Sequence, residues 1–253
     1  MSTTFDEDEI VEDGFLDGRL RLRQPRQGYR AATDAVLLAA SVPVVGGASV
    51  LDLGCGAGAV SLCLGHRVPE LELHGLEVQP PYASLARENA ALNGIELKVH
   101  EGDIRNMPGE LKERVFDAVM LNPPWHGASG SGSPDQIRDV AHRLDTTMAV
   151  WLAAALSRTK PGGWIVVIQR AEWLAEILAA MQSRVGEIAI LPLAARIGRP
   201  AKRVIVRARK ASSGPLRLLA PLVLHQGEAH LADGDDYTPQ ARAILRDGAS
   251  IEF

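Results

Sequence analysis

Cysteine is scarce in this chain: Cys55 and Cys63 are the only two, and neither belongs to a C-x-x-C pair. That excludes a disulfide-stapled scaffold and argues against a zinc site, since both depend on clustered thiols. Cys63 falls on a predicted apolar helix face, where a free thiol packs as a small hydrophobe. His225 and His230 show no metal-ligand spacing, so no metal ion is expected. The opening residues have no basic stretch followed by an apolar one, and no apolar run is long enough to cross a bilayer. The cytoplasm is the expected address. No internal repeat is visible, and no linker rich in Pro, Gly or Ser divides the pattern. One domain is therefore expected over 14–253, with 14–47 as an N-terminal hairpin and helix and 48–253 as the core. Residues 1–13 read as a flexible acidic tail, and a monomer is the default.

What the chain does contain is the make-up of an ordinary globular protein: 253 residues, 46% hydrophobic and 23% charged. A formal net charge of −4 does not by itself suggest a nucleic-acid partner. Its distribution is uneven. Asp6, Glu7, Asp8, Glu9, Glu12 and Asp13 crowd the start. One basic cluster follows at Arg19, Arg21, Arg23, Arg26 and Arg30, and a second at Arg196, Arg199, Lys202, Arg203, Arg207, Arg209 and Lys210. Each is either a solvated face or a grip for a polyanion.

Asp17-Gly18 predicts a hairpin turn within 15–22, because both residue types tolerate positive φ. A helix is predicted from Thr33, with Thr33 or Asp34 as its cap. Strands and helices then alternate. Strands are predicted at 49–53, 73–77, 97–100, 116–121 and 164–168, with helices from Val60, over 80–92 and over 139–158. After a helix at 172–181, two more strands at 187–193 and 203–209 are joined without a helix. Such alternation implies a mainly parallel sheet covered on both faces, and the short last connection implies an antiparallel last strand. The expected fold is α/β: a seven-stranded Rossmann-like sheet whose ligands bind at the carboxyl ends of its strands.

The first core strand runs into Asp52-Leu53-Gly54-Cys55-Gly56-Ala57-Gly58, where glycines let backbone turn tightly and approach a ligand. Spacing alone also satisfies a dinucleotide site, with Gly54, Gly56, Ala59 and Glu77, so a nicotinamide oxidoreductase is a rival. Two carboxylates favour S-adenosylmethionine instead. Asp52 would repel a pyrophosphate but suits a sulfonium and an ammonium. Asp103, after the third core strand, can accept a hydrogen bond from an adenine amino group. The Asp-Leu-Gly-Cys-Gly string resembles the cofactor loop of class I methyltransferases.

The fourth core strand ends in Asn122-Pro123-Pro124-Trp125. An adenine amino or glutamine amide nitrogen is a poor nucleophile, because its lone pair is delocalised. The Asn122 side-chain oxygen and the Pro123 carbonyl can accept its two hydrogens and aim the lone pair at a methyl group, with no strong base required. Pro123 and Pro124 restrict that backbone, and Trp125 offers a stacking face. The motif resembles the Asn-Pro-Pro-aromatic signature of amino and amide N-methyltransferases, which does not separate a nucleobase from a protein glutamine. His126 adjoins it, and the Gly/Ser-rich run 127–134 is either a lid or a plain loop.

From about Asp17 to Leu245 the chain resembles the bacterial valine-tRNA adenine N6-methyltransferases. The resemblance is carried by Gln27-Gly28-Tyr29-Arg30, Thr33-Asp34-Ala35, Gly198-Arg199-Pro200-Ala201-Lys202-Arg203 and Asp236-Tyr237-Thr238-Pro239. It implies S-adenosyl-L-methionine held by Asp52, Gly54, Cys55, Gly56, Gly58, Glu77, Val78, Asp103 and Ile104, with Asn122 beside it and Tyr29, Thr33 and Asp34 bordering it. Asn122, Pro123, Pro124 and Trp125 would hold adenine, and the clusters at 19–30 and 196–210 would grip the tRNA anticodon region, whose single-stranded bases can be splayed out. The sequence departs from that family where Trp125 replaces the commoner Tyr or Phe, and where His142-Arg143 replaces a His-Glu pair. Glutamine methyltransferases of the release-factor type remain a rival, although they carry a longer helical region than the roughly fifty residues ahead of Asp52. A non-catalytic RNA-binding module is a third reading, with no evident need for the Asn122 motif.

Overall fold

The computed structural model describes residues 4–124, 146–227 and 236–253. Predicted features at Trp125, His126, the 127–134 loop, residues 139–145 of the 139–158 helix and His230 lie outside them.

The chain opens with a hairpin of strands β1 (Ile10–Phe15) and β2 (Leu20–Pro25). Its turn forms where Asp17-Gly18 predicts: Leu16, Asp17 and Gly18 all have positive φ, at 51°, 57° and 81°. The hairpin starts earlier than expected, which corrects the tail reading. Glu7–Glu9 form a 3-10 turn, and residues 10–13 belong to β1. The acidic run is ordered because it faces the first basic cluster: Glu7 pairs with Arg23, Glu12 with Arg21 and Asp13 with Arg30. Opposite charges across an antiparallel pair stabilise the strands that bring them together.

Helix α1 (Thr33–Ser41) follows, capped by Ala32 with no side-chain bond, so neither Thr33 nor Asp34 is the cap. The core then alternates: β3 (Ser49–Leu53), α2 (Ala59–Arg67), β4 (Glu72–Glu77), α3 (Pro80–Leu92), β5 (Leu97–Glu101), a short α4 (Gly109–Lys112) and β6 (Phe116–Leu121). Helix α5 (Met148–Arg158) leads into β7 (Thr159–Arg170), then a 3-10 turn, α6 (Leu174–Met181), β8 (Val185–Ala194) and β9 (Arg203–Lys210). Two-residue strands β10 (Arg217–Leu218) and β11 (Leu222–Val223) and helix α7 (Pro239–Asp247) complete it.

The main sheet runs β5-β4-β3-β6-β7-β9-β8, with β10 and β11 both alongside β8. Strands β3 to β7 are mutually parallel, while β9 is antiparallel to both β7 and β8. The sheet thus has the seven expected strands and two short additions. Every residue of β3 is buried, as a strand covered on both faces requires. One apolar layer joins α1, α2, α7 and the hairpin to one face, and another packs α5 and α6 on the other. Leu38, Leu51, Leu53 and Leu62 are fully buried within these layers; truncating such a side chain to Ala costs ~2–5 kcal/mol.

The hairpin docks through two carboxamides one turn apart, Asn89 on α3 and Asn93 at its C-cap. Asn89 accepts from the Arg23 amide at 2.8 Å and donates to the Arg23 carbonyl at 2.9 Å and the Ala57 carbonyl at 3.0 Å. Asn93 does the same for the Arg21 amide at 2.9 Å and carbonyl at 2.7 Å. These side chains act as a substitute strand along β2, and Asn89 ties that edge to the glycine loop.

Candidate active site

The loop between β3 and α2 turns on left-handed glycines: Gly54, Gly56 and Gly58 have φ of 74°, 55° and 87°. A side chain at Gly54 would also meet Trp151 at 2.9 Å, so glycine is required there for both conformation and space. Cys55 packs its sulfur over Gly75, where an added Cβ would lie 2.6 Å from it. Burial pushes its thiol well above the ordinary range, which fits a packing role.

Asp52 is buried at the carboxyl half of β3 and accepts from the Ser61 hydroxyl at 2.8 Å. Burial lifts its carboxyl to about 7, with Ser61 acting in the opposite direction. A carboxylate this desolvated is a strong point of attraction for a cation placed beside it. Glu77, at the end of β4, is also buried; it accepts from the Gly56 amide at 2.9 Å and the Gln79 amide at 2.8 Å, clasping the loop tip.

Tyr29, Asp52, Gly54, Cys55 and Asn122 line one cleft at the carboxyl edge of the sheet, together with Tyr82, Val60 and the small side chains of Ala31, Ala35, Ala57 and Ala59. The space amounts to about 370 Å³ counted out to solvent. Tyr82 holds the Tyr29 segment in place: its hydroxyl donates to the Tyr29 carbonyl at 3.1 Å and accepts from the Tyr29 amide at 3.1 Å. Tyr29 is half exposed as a residue, but partial desolvation of its hydroxyl end, with Asp34 and Asp52 nearby, pushes that hydroxyl up to about 12, so it stays protonated. The Asn122 amide donates to that hydroxyl over a long 3.5 Å. This contact turns the Asn122 nitrogen toward Tyr29 and leaves its oxygen for another donor. The Pro123 carbonyl, buried next to it, accepts from the Gln169 amide at 3.0 Å.

The remaining predicted residues lie around this cleft. Thr33 and Asp34 open α1, and Asp34 is ion-paired to Arg203 at 2.5 Å. Val78 follows Glu77 and is 58% exposed. Both Asp103 oxygens receive the Arg105 guanidinium, at 3.0 and 2.6 Å, so an adenine amino group would have to share this carboxylate. Ile104 packs toward the α5 face of the sheet. His225 bonds Asp236 at 2.5 Å and stacks on Tyr237. Among the described residues no cluster of three His, Cys, Asp or Glu could hold a metal, and no described helix is long and apolar enough to cross a membrane. Sequence reading missed Ser61, Tyr82, Asn89 and Gln169. Only Gln169 left a signal, as a polar residue closing the apolar run Val166-Val167-Ile168 beside the strand that carries Asn122.

The basic clusters need correction as free grips. Arg19 bonds the Arg246 carbonyl at 2.5 Å, and Arg21, Arg23 and Arg30 are ion-paired to the acidic run. In the second cluster Arg196 pairs with Asp236, Arg203 with Asp34 and Arg209 with Glu187. Arg207 lies between Trp164 and Phe253, and Lys210 donates to the Thr159 carbonyl. The physical reason is that β2, β9 and the segments flanking them carry these cations beside carboxylates and carbonyls of neighbouring elements. Arg199 and Lys202 are exposed and have no ion pair among the described residues.

A parallel sheet with an antiparallel β9, a glycine turn after β3 and acids at the ends of β3 and β4 define a class I S-adenosylmethionine-dependent methyltransferase. Residues 31–191 match the family model described as "Methyltransferase small domain", and the chain belongs to that family. A Yersinia pestis protein named tRNA1(Val) (adenine(37)-N6)-methyltransferase is 32% identical over 131 residues, covering 51% of this chain and 52% of that protein. The match thus spans about half the length of these curated relatives. An Agrobacterium tumefaciens structure described as a predicted O-methyltransferase superposes with a TM-score of 0.69 at 28% identity, over 86% of this chain and 98% of that one. A Thermus thermophilus 16S rRNA N2 G1207 methyltransferase, solved with AdoMet and guanosine, superposes with a TM-score of 0.54 at 20% identity over 79% of this chain and 50% of that one, a likeness of fold.

Proposed function

We propose that this methyltransferase acts on the exocyclic amino group of adenine in tRNA, near the anticodon, giving N6-methyladenosine. The observation that carries this reading is the pair of neutral acceptors at the end of β6: the Asn122 oxygen left open by the contact to Tyr29, and the Pro123 carbonyl beside it. Neither is a base. Together they suit a nitrogen that has two hydrogens to donate and needs orientation rather than deprotonation before attack. A hydroxyl acceptor, as the name of the Agrobacterium protein implies for that protein, has one hydrogen and would leave one acceptor unused.

When bound, S-adenosylmethionine supplies a methyl group on a positively charged sulfur. Asp52 would attract that ligand's cationic groups, while Gly54 and Gly56 give it close approach to backbone and Glu77 keeps the loop in shape. Asn122 and Pro123 would hold the amino nitrogen in line with the methyl carbon. Held there, the nitrogen would accept the methyl group that the bound ligand's sulfonium can release, and its extra proton would leave for water. The Yersinia relatives, named for adenine in a tRNA, support this acceptor.

The test is a methyl-transfer assay with labelled S-adenosylmethionine, run on unmodified total tRNA and separately on release-factor protein. Label in tRNA, recovered as N6-methyladenosine, is the expected result. Label in protein glutamine instead would replace the acceptor while keeping the chemistry.

A further inference from the structure

Gln169 stands at the end of β7, next to β6 in the sheet, and is 6% exposed. Its side chain makes two hydrogen bonds of opposite sense. Nε2 donates to the Pro123 carbonyl at 3.0 Å, and Oε1 accepts from the Arg170 amide at 2.8 Å. The second bond fixes the first: a flipped carboxamide would set its NH2 against the Arg170 N–H and its oxygen against the Pro123 carbonyl. The orientation is therefore locked by the backbone of its own strand.

A carbonyl oxygen has two lone pairs, so one remains for a second donor. A prolyl carbonyl at a strand end lies beyond the sheet ladder that fixes its predecessors. We infer that Gln169 is a positioning residue for methyl transfer, holding the Pro123 carbonyl at the angle from which its free lone pair receives the acceptor N–H. This rests on the acceptor role proposed for Asn122 and Pro123. The role needs the carboxamide group itself: a shorter side chain would not reach, an apolar one would leave two buried backbone groups unpaired, and a carboxylate would oppose the carbonyl.

The experiment compares wild type, Gln169→Leu and Gln169→Glu at saturating cofactor, using whichever acceptor wild type labels, tRNA or release factor. A wrong choice of tRNA thus leaves the comparison intact. Asn122→Ala is run alongside, and full turnover in that variant would reject the acceptor geometry as a whole. Gln169→Leu is expected to lower kcat by ~10–100-fold, the scale of a misplaced reacting group, with cofactor Kd and acceptor KM within about threefold of wild type. Gln169→Glu keeps shape and supplies the decisive readout. As a carboxylate it accepts from Arg170 but repels Pro123; once protonated it restores both bonds. Its kcat is expected to rise as pH falls from 8 to 5.5 relative to wild type. A Gln169→Leu enzyme within twofold of wild-type kcat, or a Gln169→Glu profile parallel to the wild-type profile, overturns the inference. Where Gln169→Leu does not fold, as judged by cofactor binding, the Gln169→Glu profile decides alone.

Discussion

Asp52 is the residue whose ionisation this fold perturbs with most consequence. Its carboxyl sits at about 7 in the folded chain, against ~3.9 when unfolded. Between those values the folded state keeps a proton that the unfolded state has released. Stability is then fully present below the unfolded value and is lost as pH rises through about 7. About three pH units correspond to a loss on the order of 4 kcal/mol. Cofactor-free protein is expected to melt at a lower Tm at pH 8 than at pH 5, and Asp52→Asn should remove most of that difference in a thermal scan. Cofactor binding has the opposite sign, because a cationic ligand favours the carboxylate and expels the proton. Affinity for S-adenosylmethionine should rise by up to ~10-fold per pH unit below the Asp52 value, and a flat titration by calorimetry would remove Asp52 from the site. Asn122→Ala tests the acceptor side. Turnover is expected to fall by ~10²–10³ with the cofactor dissociation constant unchanged, and near-normal turnover would end the two-acceptor mechanism. Residues such as Asp52 and Asn122 are legible in sequence because they stand at strand ends in short strings. Tyr82 and Gln169 act through partners about fifty residues away along the chain, and of Ser61, Tyr82 and Gln169 only Gln169 carries a local mark, as the polar end of an apolar run.

At the scale of elements, β3, α3 and β6 lie where the pattern of apolar residues, glycines and prolines puts them. The misreadings have physical causes. β1 hides under acidic residues because only Ile10 and Phe15 of its six are buried, and its acids are matched by ion pairs to Arg21 of β2 and to Arg30 beyond it. β7 begins at Thr159, through Pro161-Gly162-Gly163, where a helix stop and a strand start share the same residues. Helix α7 is not among the elements expected from the sequence, although it has ordinary boundary residues: Thr238 caps it by accepting from the Ala241 amide at 3.1 Å, Pro239 is its first residue and Gly248 closes it with φ 73°. Strands β10 and β11, two residues each, have no period to read. The docking of the hairpin on α3 belongs to this scale too. Asn89→Ala leaves the Arg23 amide, the Arg23 carbonyl and the Ala57 carbonyl without their partner, and is expected to cost ~1–3 kcal/mol. Denaturant melts should show that loss, with faster hydrogen exchange at the Arg23 amide. A variant as stable as wild type would show that water replaces the carboxamide.

At the scale of the whole molecule, most of the charge in the two basic clusters is neutralised in pairs among the described residues. The first basic cluster holds the hairpin shut against the acidic run, and much of the second braces β9 and the C-terminal region. Arg199 and Lys202 differ. They lie in the connection between β8 and β9, and β8 runs parallel to β6 and β7. That connection therefore stands at the carboxyl edge of the sheet, the same edge as Asn122, with Ile197 86% exposed beside the two cations. An RNA presented to the cleft would meet these cations before any arginine of the hairpin, all of which already have partners. Arg199→Glu with Lys202→Glu is expected to weaken tRNA binding by ~10-fold or more near physiological salt, and to reduce the slope of log affinity against log salt by roughly 1.5 to 2. Cofactor affinity should not change. Arg21→Glu should do the reverse, lowering Tm through repulsion with Glu12 while leaving RNA affinity nearly intact. Arg203→Glu serves as the contrast within the second cluster, since it sets a carboxylate against Asp34 and should disturb the cleft border first. Filter binding across a salt series distinguishes these effects, and equal losses from the hairpin and loop variants would return the RNA grip to both clusters.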